Sequence, residues 1–199
     1  LKDEQAPSCA LEPLAQFCPD FLVLYRDGSY ICSDSVEQGL QLRRRPVAAE
    51  DFRSLLGEDR ITGEEELEAL KRDRHFCSDA LLALVKRIAT ELPLKCFFVN
   101  YIFMTRAFPL LPREVHKILD TIDVFSNYSE KVERFGVDRT IRISVAEEAR
   151  RLQRADLIIA IQREEEGILR SMAADTKVIC AGVDFMTCES EIPPAPVIG

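Results

Sequence analysis

Five consecutive apolar residues, from Leu157 to Ile161, are the feature of this sequence that most constrains its fold. The surrounding stretch "ADLIIAIQ" (155–162) lacks the polar alternation expected of a strand with one solvated face. Strands without this alternation are buried on both faces, as they are in parallel sheets covered by helices. The run therefore predicts a strand in a mainly parallel sheet.

Three similar runs and two helical patterns extend this prediction. Short apolar runs that favour strands occur at "KCFFVNY" (95–101), "HKILDT" (116–121) and "TKVICAG" (176–182). "SVAEEARRLQRA" (144–155) opens with Ser144 and Glu147 at the spacing of a capping box, and "REEEGILRSM" (163–172) begins with acids that favour a helix N-terminus. Alternating strands and helices predict the α/β class, with a doubly wound, mainly parallel sheet and helices on both faces.

The first 93 residues are less regular. "DFLVLYRDGSYICSD" (20–34) predicts a hairpin around Asp27-Gly28, and "SDALLALVKRIATEL" (78–92) predicts a helix that stops before a proline. "TGEEELEALKRDRHF" (62–76) predicts a helix capped by Thr62 and Glu65, whereas residues 36–60 are mixed, with Pro46 and Gly57 as breakers, and cannot be assigned to an element from sequence. We interpret residues 1–187 as one Rossmann-like domain and the proline-rich residues 188–199 as a linker toward a second domain.

Composition excludes several function classes. The formal net charge of −8 argues against a nucleic-acid-binding surface, which needs clustered basic residues. The sequence has no apolar run long enough to span a membrane and does not open with a signal peptide. Its seven cysteines form no C-x-x-C pair, which favours free thiols in a reducing, cytoplasmic setting. The two histidines have no cysteines at zinc-ligand spacing, so we predict no metal site.

Polar residues follow the predicted strands where each strand ends. In open α/β sheets, ligands bind beyond the carboxyl ends of the strands. The sequence therefore predicts a substrate-binding site made from Asn100, Asp120, Asp123, Gln162 and Glu165. Helix capping is an equally good interpretation of Asp123, and Glu164 to Glu166 also fit the first turn of a helix. Asp120 directly follows Ile118 and Leu119, so a partly buried carboxylate that needs partners is expected there.

Several catalytic motifs are missing from the sequence. It has no G-x-G-x-x-G, no P-loop and no G-x-S-x-G, which disfavours a dinucleotide oxidoreductase, a P-loop NTPase and a serine hydrolase. The two aspartates come from one tight turn, whereas a glycoside hydrolase usually places its carboxyl groups on opposite sides of the scissile bond. Two carboxylates are also too few for a tight metal site. No catalytic residue is assigned from these patterns.

The second part of the sequence resembles a known family. "FFVNYIFMTRAFPLLP", "KILDTIDVFSNYSEKVERFG" and "EEARRLQRADLIIAIQREEEGILRSM", followed by "TKVICAGVDF", resemble the N-terminal half of two-Rossmann-domain (GT-B) glycosyltransferases of the glycogen-synthase and phosphatidylinositol-mannosyltransferase-like group. The resemblance covers residues 95–186, slightly under half of the chain. It implies that this domain binds the acceptor, while a second Rossmann domain holds a nucleotide-sugar as co-substrate.

The resemblance also assigns residues. Asp120-Thr121-Ile122-Asp123 matches a family segment that commonly reads Asp-Thr-His-Asp, so both aspartates are implied to line the cleft. Gln162 and Glu165 are implied at the cleft edge, whereas Asn100 rests on the strand-end argument alone. Ile122 replaces the family histidine, which would face the donor sugar. The glycine-rich loop of the family is not recognisable.

Three hypotheses about function follow. The first is the acceptor-side half of a glycosyltransferase, not competent alone, acting on a glycan or on a lipid-linked acceptor that would bring peripheral membrane contact. The second is a non-catalytic binding or scaffolding domain derived from such a transferase, which Ile122 favours. The third is a flavodoxin-like regulatory domain whose aspartates bind Mg²⁺. None of the three requires a resident organic cofactor.

Overall fold

A four-stranded parallel sheet forms the centre of the second part of the chain. The structure, a computed structural model, describes residues 18, 20–24, 30–41, 51–126, 141 and 143–182. The strands of this parallel sheet are β3 (Cys96–Asn100), β4 (His116–Asp120), β5 (Leu157–Ala160) and β6 (Lys177–Cys180), adjacent in that order. Helices flank the sheet, which confirms the α/β class and is consistent with a Rossmann-like doubly wound fold.

Strand register separates the two faces of the sheet. Val99 pairs with Leu119, Leu119 with Ile158, and Ile158 with Val178, and all four of these side chains are buried in the core. Successive residues of a strand point to opposite faces, so the neighbouring row lies on the other face. That row is more open, since Phe98 at its edge is 51% exposed.

The predicted helices are present in the second half of the domain. A long 3₁₀ segment (Ile102–Leu110) connects β3 with β4, and α4 (Val145–Leu152) and α5 (Arg163–Met172) lie before and after β5. The Ser144 hydroxyl caps α4 by accepting from the Glu147 N–H, as its spacing predicts. No described helix is both long and apolar enough to cross a membrane.

Within its described residues, the first part of the chain contains a hairpin and three helices. Strands β1 (Leu22–Leu24) and β2 (Tyr30–Cys32) are antiparallel, which confirms the hairpin, although its turn lies outside the described residues. They are followed by α1 (Asp34–Gln41), α2 (Glu64–Phe76) and α3 (Asp79–Glu91), with a 3₁₀ turn at Glu58–Arg60. The predicted linker at 188–199 also lies outside the described residues and stays a prediction.

One predicted helix cap is wrong. Helix α2 begins at Glu64, with Gly63 at the N-cap position and no side-chain cap hydrogen bond. Because the helix starts one residue later than the sequence pattern suggests, Thr62 lies outside the cap position. Glutamates at positions 64 to 66 stabilise the helix N-terminus electrostatically instead. By contrast, the Ser78 hydroxyl caps α3 by accepting from the Leu81 N–H.

Residues 51–91, here called the helical unit, are held to the sheet side by buried arginines. Arg106 of the 3₁₀ segment is 2% exposed. Its guanidinium donates to Glu58 Oε1 at 2.8 Å, to Asp79 Oδ1 at 2.7 Å and to the Cys77 carbonyl at 2.6 Å. Buried charges are tolerated when they are paired in this way. The arginine therefore joins three separate positions of the helical unit.

A second arginine makes an equivalent connection from α4. Arg151 donates to Asp73 Oδ1 at 2.7 Å and pairs with Glu147 Oε1 at 2.8 Å, while Arg72 of α2 also reaches Glu147 at 2.7 Å. Burial raises the pKa of Asp73, although the Arg151 charge opposes this effect. The arginine planes of Arg72 and Arg151 also lie near the ring of Phe103. Helices α2 and α4 are thus linked by a continuous polar network.

Candidate functional site

The carboxyl ends of β3 and β4 bring two predicted site residues together. Asn100 and Asp120 are register partners on these neighbouring strands, and Asn100 Nδ2 donates to Asp120 Oδ2 at 3.0 Å. The other carboxylate oxygen, Asp120 Oδ1, is buried and has no hydrogen-bond partner among the described residues. Buried carboxylate oxygens normally have partners, so this oxygen is an unusual feature of the edge.

The backbone after β4 makes a tight and strained turn. The Asp123 N–H donates to the Thr121 carbonyl at 2.7 Å, which closes a three-residue turn around Ile122. Ile122 has φ = 62°, a value that is rare for a β-branched residue and typical of the strained form of the γ-turn. Its side chain is 37% exposed, so burial of that side chain explains little of the strain. The turn places Asp120 and Asp123 on either side of an apolar, partly exposed residue.

Thr121 fixes this turn to the neighbouring strand. Its N–H and its hydroxyl both donate to the Ile159 carbonyl, at 3.2 and 3.1 Å, and the residue is buried. Thr121 is therefore unavailable to a ligand. Its role is to hold the start of the turn against β5.

A second strained residue lies at the end of β3. Tyr101 has φ = 81° and ψ = 125°, and its N–H donates to the Asp120 carbonyl at 2.9 Å. Its ring packs against Phe76, Phe103 and Phe125, with centroid separations of 5.1 to 5.3 Å. Strained backbone persists only where the surroundings determine it, and it concentrates at functional sites. Both non-glycine residues with positive φ in the described chain thus lie beside the Asn100–Asp120 pair.

Asp123 does not cap the residues that become helical after β4. The N–H groups of Phe125 and Ser126 donate to the two carboxylate oxygens of Glu148, each at 2.8 Å. Glu148 is fully buried in α4. Glu148 therefore accepts from N–H groups that a capping residue after β4 would bind, and the ligand-facing interpretation of Asp123 stays a prediction. No sequence pattern singles out Glu148, because the residue lies beside Glu147 in an ordinary acidic first turn.

The two remaining predicted residues lie farther along the same edge. Gln162 is the N-cap residue of α5, makes no side-chain cap hydrogen bond, and lines an open cleft of about 480 Å³ between α5 and β6. Arg163, Glu166 and Arg170 also line this cleft, and Arg170 donates to Glu166 at 2.6 Å. Glu165 is half-buried in the first turn of α5 and is not among the residues that line the cleft. The described hydrogen bonds join Asn100 with Asp120 but do not join either residue with Gln162.

The chemistry available at this edge is hydrogen bonding by the carboxylates of Asp120 and Asp123 and by the carboxamide of Asn100. Asp120 Oδ2 accepts from Asn100, whereas Asp120 Oδ1 has no partner among the described residues and can accept from a ligand hydroxyl group. Ile122, between Asp120 and Asp123, has no titratable group. Among the described residues, no group of three or more potential ligands is arranged to hold a metal ion.

Comparison with protein families, with curated proteins and with solved structures finds no match to this chain. The site is therefore described by its own geometry: an amide–carboxylate pair, an unsatisfied buried oxygen and a strained turn at the carboxyl edge of a parallel sheet.

Proposed function

We propose that this chain carries the acceptor-side half of a glycosyltransferase that uses a nucleotide-sugar. The observation that carries the proposal is the Asn100–Asp120 pair with its unsatisfied oxygen Oδ1, next to the strained turn that ends at Asp123. Carboxylates and carboxamides are suited to sugar hydroxyl groups, because their planar polar ends accept and donate in fixed directions. The resemblance of residues 95–186 to GT-B transferases supports the same function.

The position of the site in the fold also supports this proposal. Ligands of open α/β sheets bind beyond the carboxyl ends of the strands, where Asn100, Asp120 and Asp123 lie. In the proposed enzyme, a second Rossmann domain of the same parent chain holds the nucleotide-sugar. The acceptor, a glycan or a lipid-linked glycan, occupies the edge described here. The half-enzyme is not competent for transfer by itself.

The test is sugar transfer by the full-length protein, with a panel of UDP-, GDP- and ADP-sugars and detection of the released nucleoside diphosphate. We expect Asp123→Ala to lower the rate by about 100-fold, the scale of losing a positioned polar contact in a transition state. Asp175→Ala is the matched control, because Asp175 is an exposed acid that precedes β6 at the opposite end of the strands. Equal rates for Asp123→Ala and wild type would remove Asp123 from the site.

A second candidate function is a non-catalytic binding or scaffolding domain, and Ile122 is the observation that favours it. An apolar side chain occupies the strained position between the two aspartates, where the resembling family has histidine. Restoring the imidazole with Ile122→His separates the two functions. Transfer that appears only in this variant would mean that the natural protein binds but does not transfer. Sugar transfer by the wild-type protein would exclude the non-catalytic binding or scaffolding function.

A further inference from the structure

Glu148 is the most completely buried acidic residue at the back of the candidate site. It is 0% exposed, and its two carboxylate oxygens accept from the consecutive N–H groups of Phe125 and Ser126. A buried carboxylate is costly unless hydrogen bonds satisfy it, and bonds from N–H groups to a charged acceptor are short and strong. This contact is therefore a fixed point of the structure.

The contact lies two residues beyond the turn that carries the candidate site. At its first end, the turn is held by Thr121, which donates twice to the Ile159 carbonyl of β5. At its second end, Phe125 is held by Glu148. Asp123 thus lies on a short stretch of backbone whose two ends are fixed to different elements. A strained turn at Ile122 requires such restraint, because an unrestrained chain would relax to negative φ.

Helix α4, which carries Glu148, is itself held in place. Its Glu147 pairs with Arg72 at 2.7 Å, and its Arg151 pairs with Asp73 at 2.7 Å, both across to α2 of the helical unit. Glu148 therefore connects the turn to a helix that ion pairs hold against α2.

We propose that Glu148 is a positioning residue for the candidate site: its carboxylate holds the backbone after Asp123 and keeps the Ile122 turn in its strained form. The importance of this role for sugar transfer rests on the proposed function. The role itself is a property of the free protein, so it can be tested without a sugar substrate.

The test uses amide hydrogen exchange and amide chemical shifts of the protein in solution. In Glu148→Gln, one oxygen acceptor is lost, and we expect the Phe125 and Ser126 amides to exchange about tenfold faster or more. The decisive reporter is the Asp123 amide, which donates to Thr121 within the turn. We expect its exchange to accelerate and its resonance to shift, because the turn relaxes once its second end is released.

Glu114→Gln is the matched control. It removes the same charge at an exposed position that precedes β4, at the opposite end of the strands from the turn. We expect the Asp123 amide to keep its wild-type exchange rate and resonance in this variant. Glu148→Asp, which withdraws the carboxylate by one methylene, serves as the second variant if Glu148→Gln does not fold.

Two results would overturn the proposal. Rapid exchange of the Phe125 and Ser126 amides in the wild-type protein would show that the Glu148 contact is not formed. An unchanged Asp123 amide in a folded Glu148 variant would reduce Glu148 to a helix cap with no influence on the turn. Neither result depends on transferase activity, so failure of this inference is distinct from failure of the proposed function.

Discussion

The interface between the helical unit and the sheet side buries its carboxylates beside guanidinium groups, whereas the carboxyl edge of the sheet does not. Glu58 is paired with Arg106 and Arg74, and Asp73 is paired with Arg151. Asp120, at the edge, has one carboxamide partner, and its second oxygen has none among the described residues. The difference separates two uses of acidic residues. Those at the interface hold elements together, and those at the edge leave hydrogen-bonding capacity for a ligand.

The largest expected effect comes from breaking the interface. Arg106→Ala leaves Glu58 buried with only the partly exposed Arg74 beside it and frees the Cys77 carbonyl. Removing one partner of a buried ion pair costs about 3–5 kcal/mol, so we expect a loss near 3 kcal/mol in the free energy of unfolding. Urea denaturation measures this quantity. The control is Arg53→Ala, since Arg53 and Asp51 are each 60% exposed and ion pairs between exposed side chains contribute little to stability. Similar losses in both variants would contradict the structural role of Arg106.

A smaller effect of opposite sign is expected at the strained turn. Ile122→Gly removes the Cβ atom that disfavours φ = 62°, and we expect the protein to become more stable by about 1 kcal/mol. Ile122→Ala keeps a Cβ atom and should not share the gain, which makes it the matched control. Thermal and urea unfolding of the two variants give the comparison. If the Ile122→Gly protein is no more stable than the Ile122→Ala protein, the positive φ at position 122 does not lower the stability of the folded state.

The smallest effect is expected for the edge carboxylate itself. Asp120→Asn keeps an oxygen that can accept from Asn100 and removes a charge that has no cationic partner among the described residues. We expect the free energy of unfolding to change by less than about 1 kcal/mol. Asp73→Asn, at the interface, is the matched variant and should cost about 2 kcal/mol or more, because Arg151 would lose its charged partner. Equal losses in the free energy of unfolding for Asp120→Asn and Asp73→Asn would contradict the difference between edge and interface carboxylates.

The sequence predicted most of the second half of the fold because the pattern there is local. Each of the four apolar runs became a strand, and helices α4 and α5 occur where capping and acidic first turns indicate them. These signals depend on residues close together in the chain. Asn100 and Asp120 could be paired for the same reason, since both end neighbouring parallel strands.

The contacts that shape the site could not be predicted, because they depend on distant residues or on unfavourable local conformations. Ile122 is β-branched, and a β-branched residue argues against positive φ rather than for it. Glu148 meets the backbone of Phe125 across 23 positions of sequence. Arg106 lies within an apolar stretch, and its sequence does not reveal the acids of the helical unit that pair with it. The capping error at Thr62 arose from a one-residue shift, to which capping patterns are sensitive.

The consecutive order of the sheet has a consequence for how the chain folds. Each of strands β4, β5 and β6 pairs with the strand that precedes it in the sequence, so every strand leaves the ribosome after its partner. Pairing of successive strands closes shorter loops than pairing across the whole domain, and shorter loops favour faster folding. The Asn100–Asp120 pair joins the two earliest strands of the parallel sheet, and both of its residues are present once residue 120 has been made. Glu148 is made later. The Asn100–Asp120 hydrogen bond can therefore form before Glu148 is available to hold the backbone after β4.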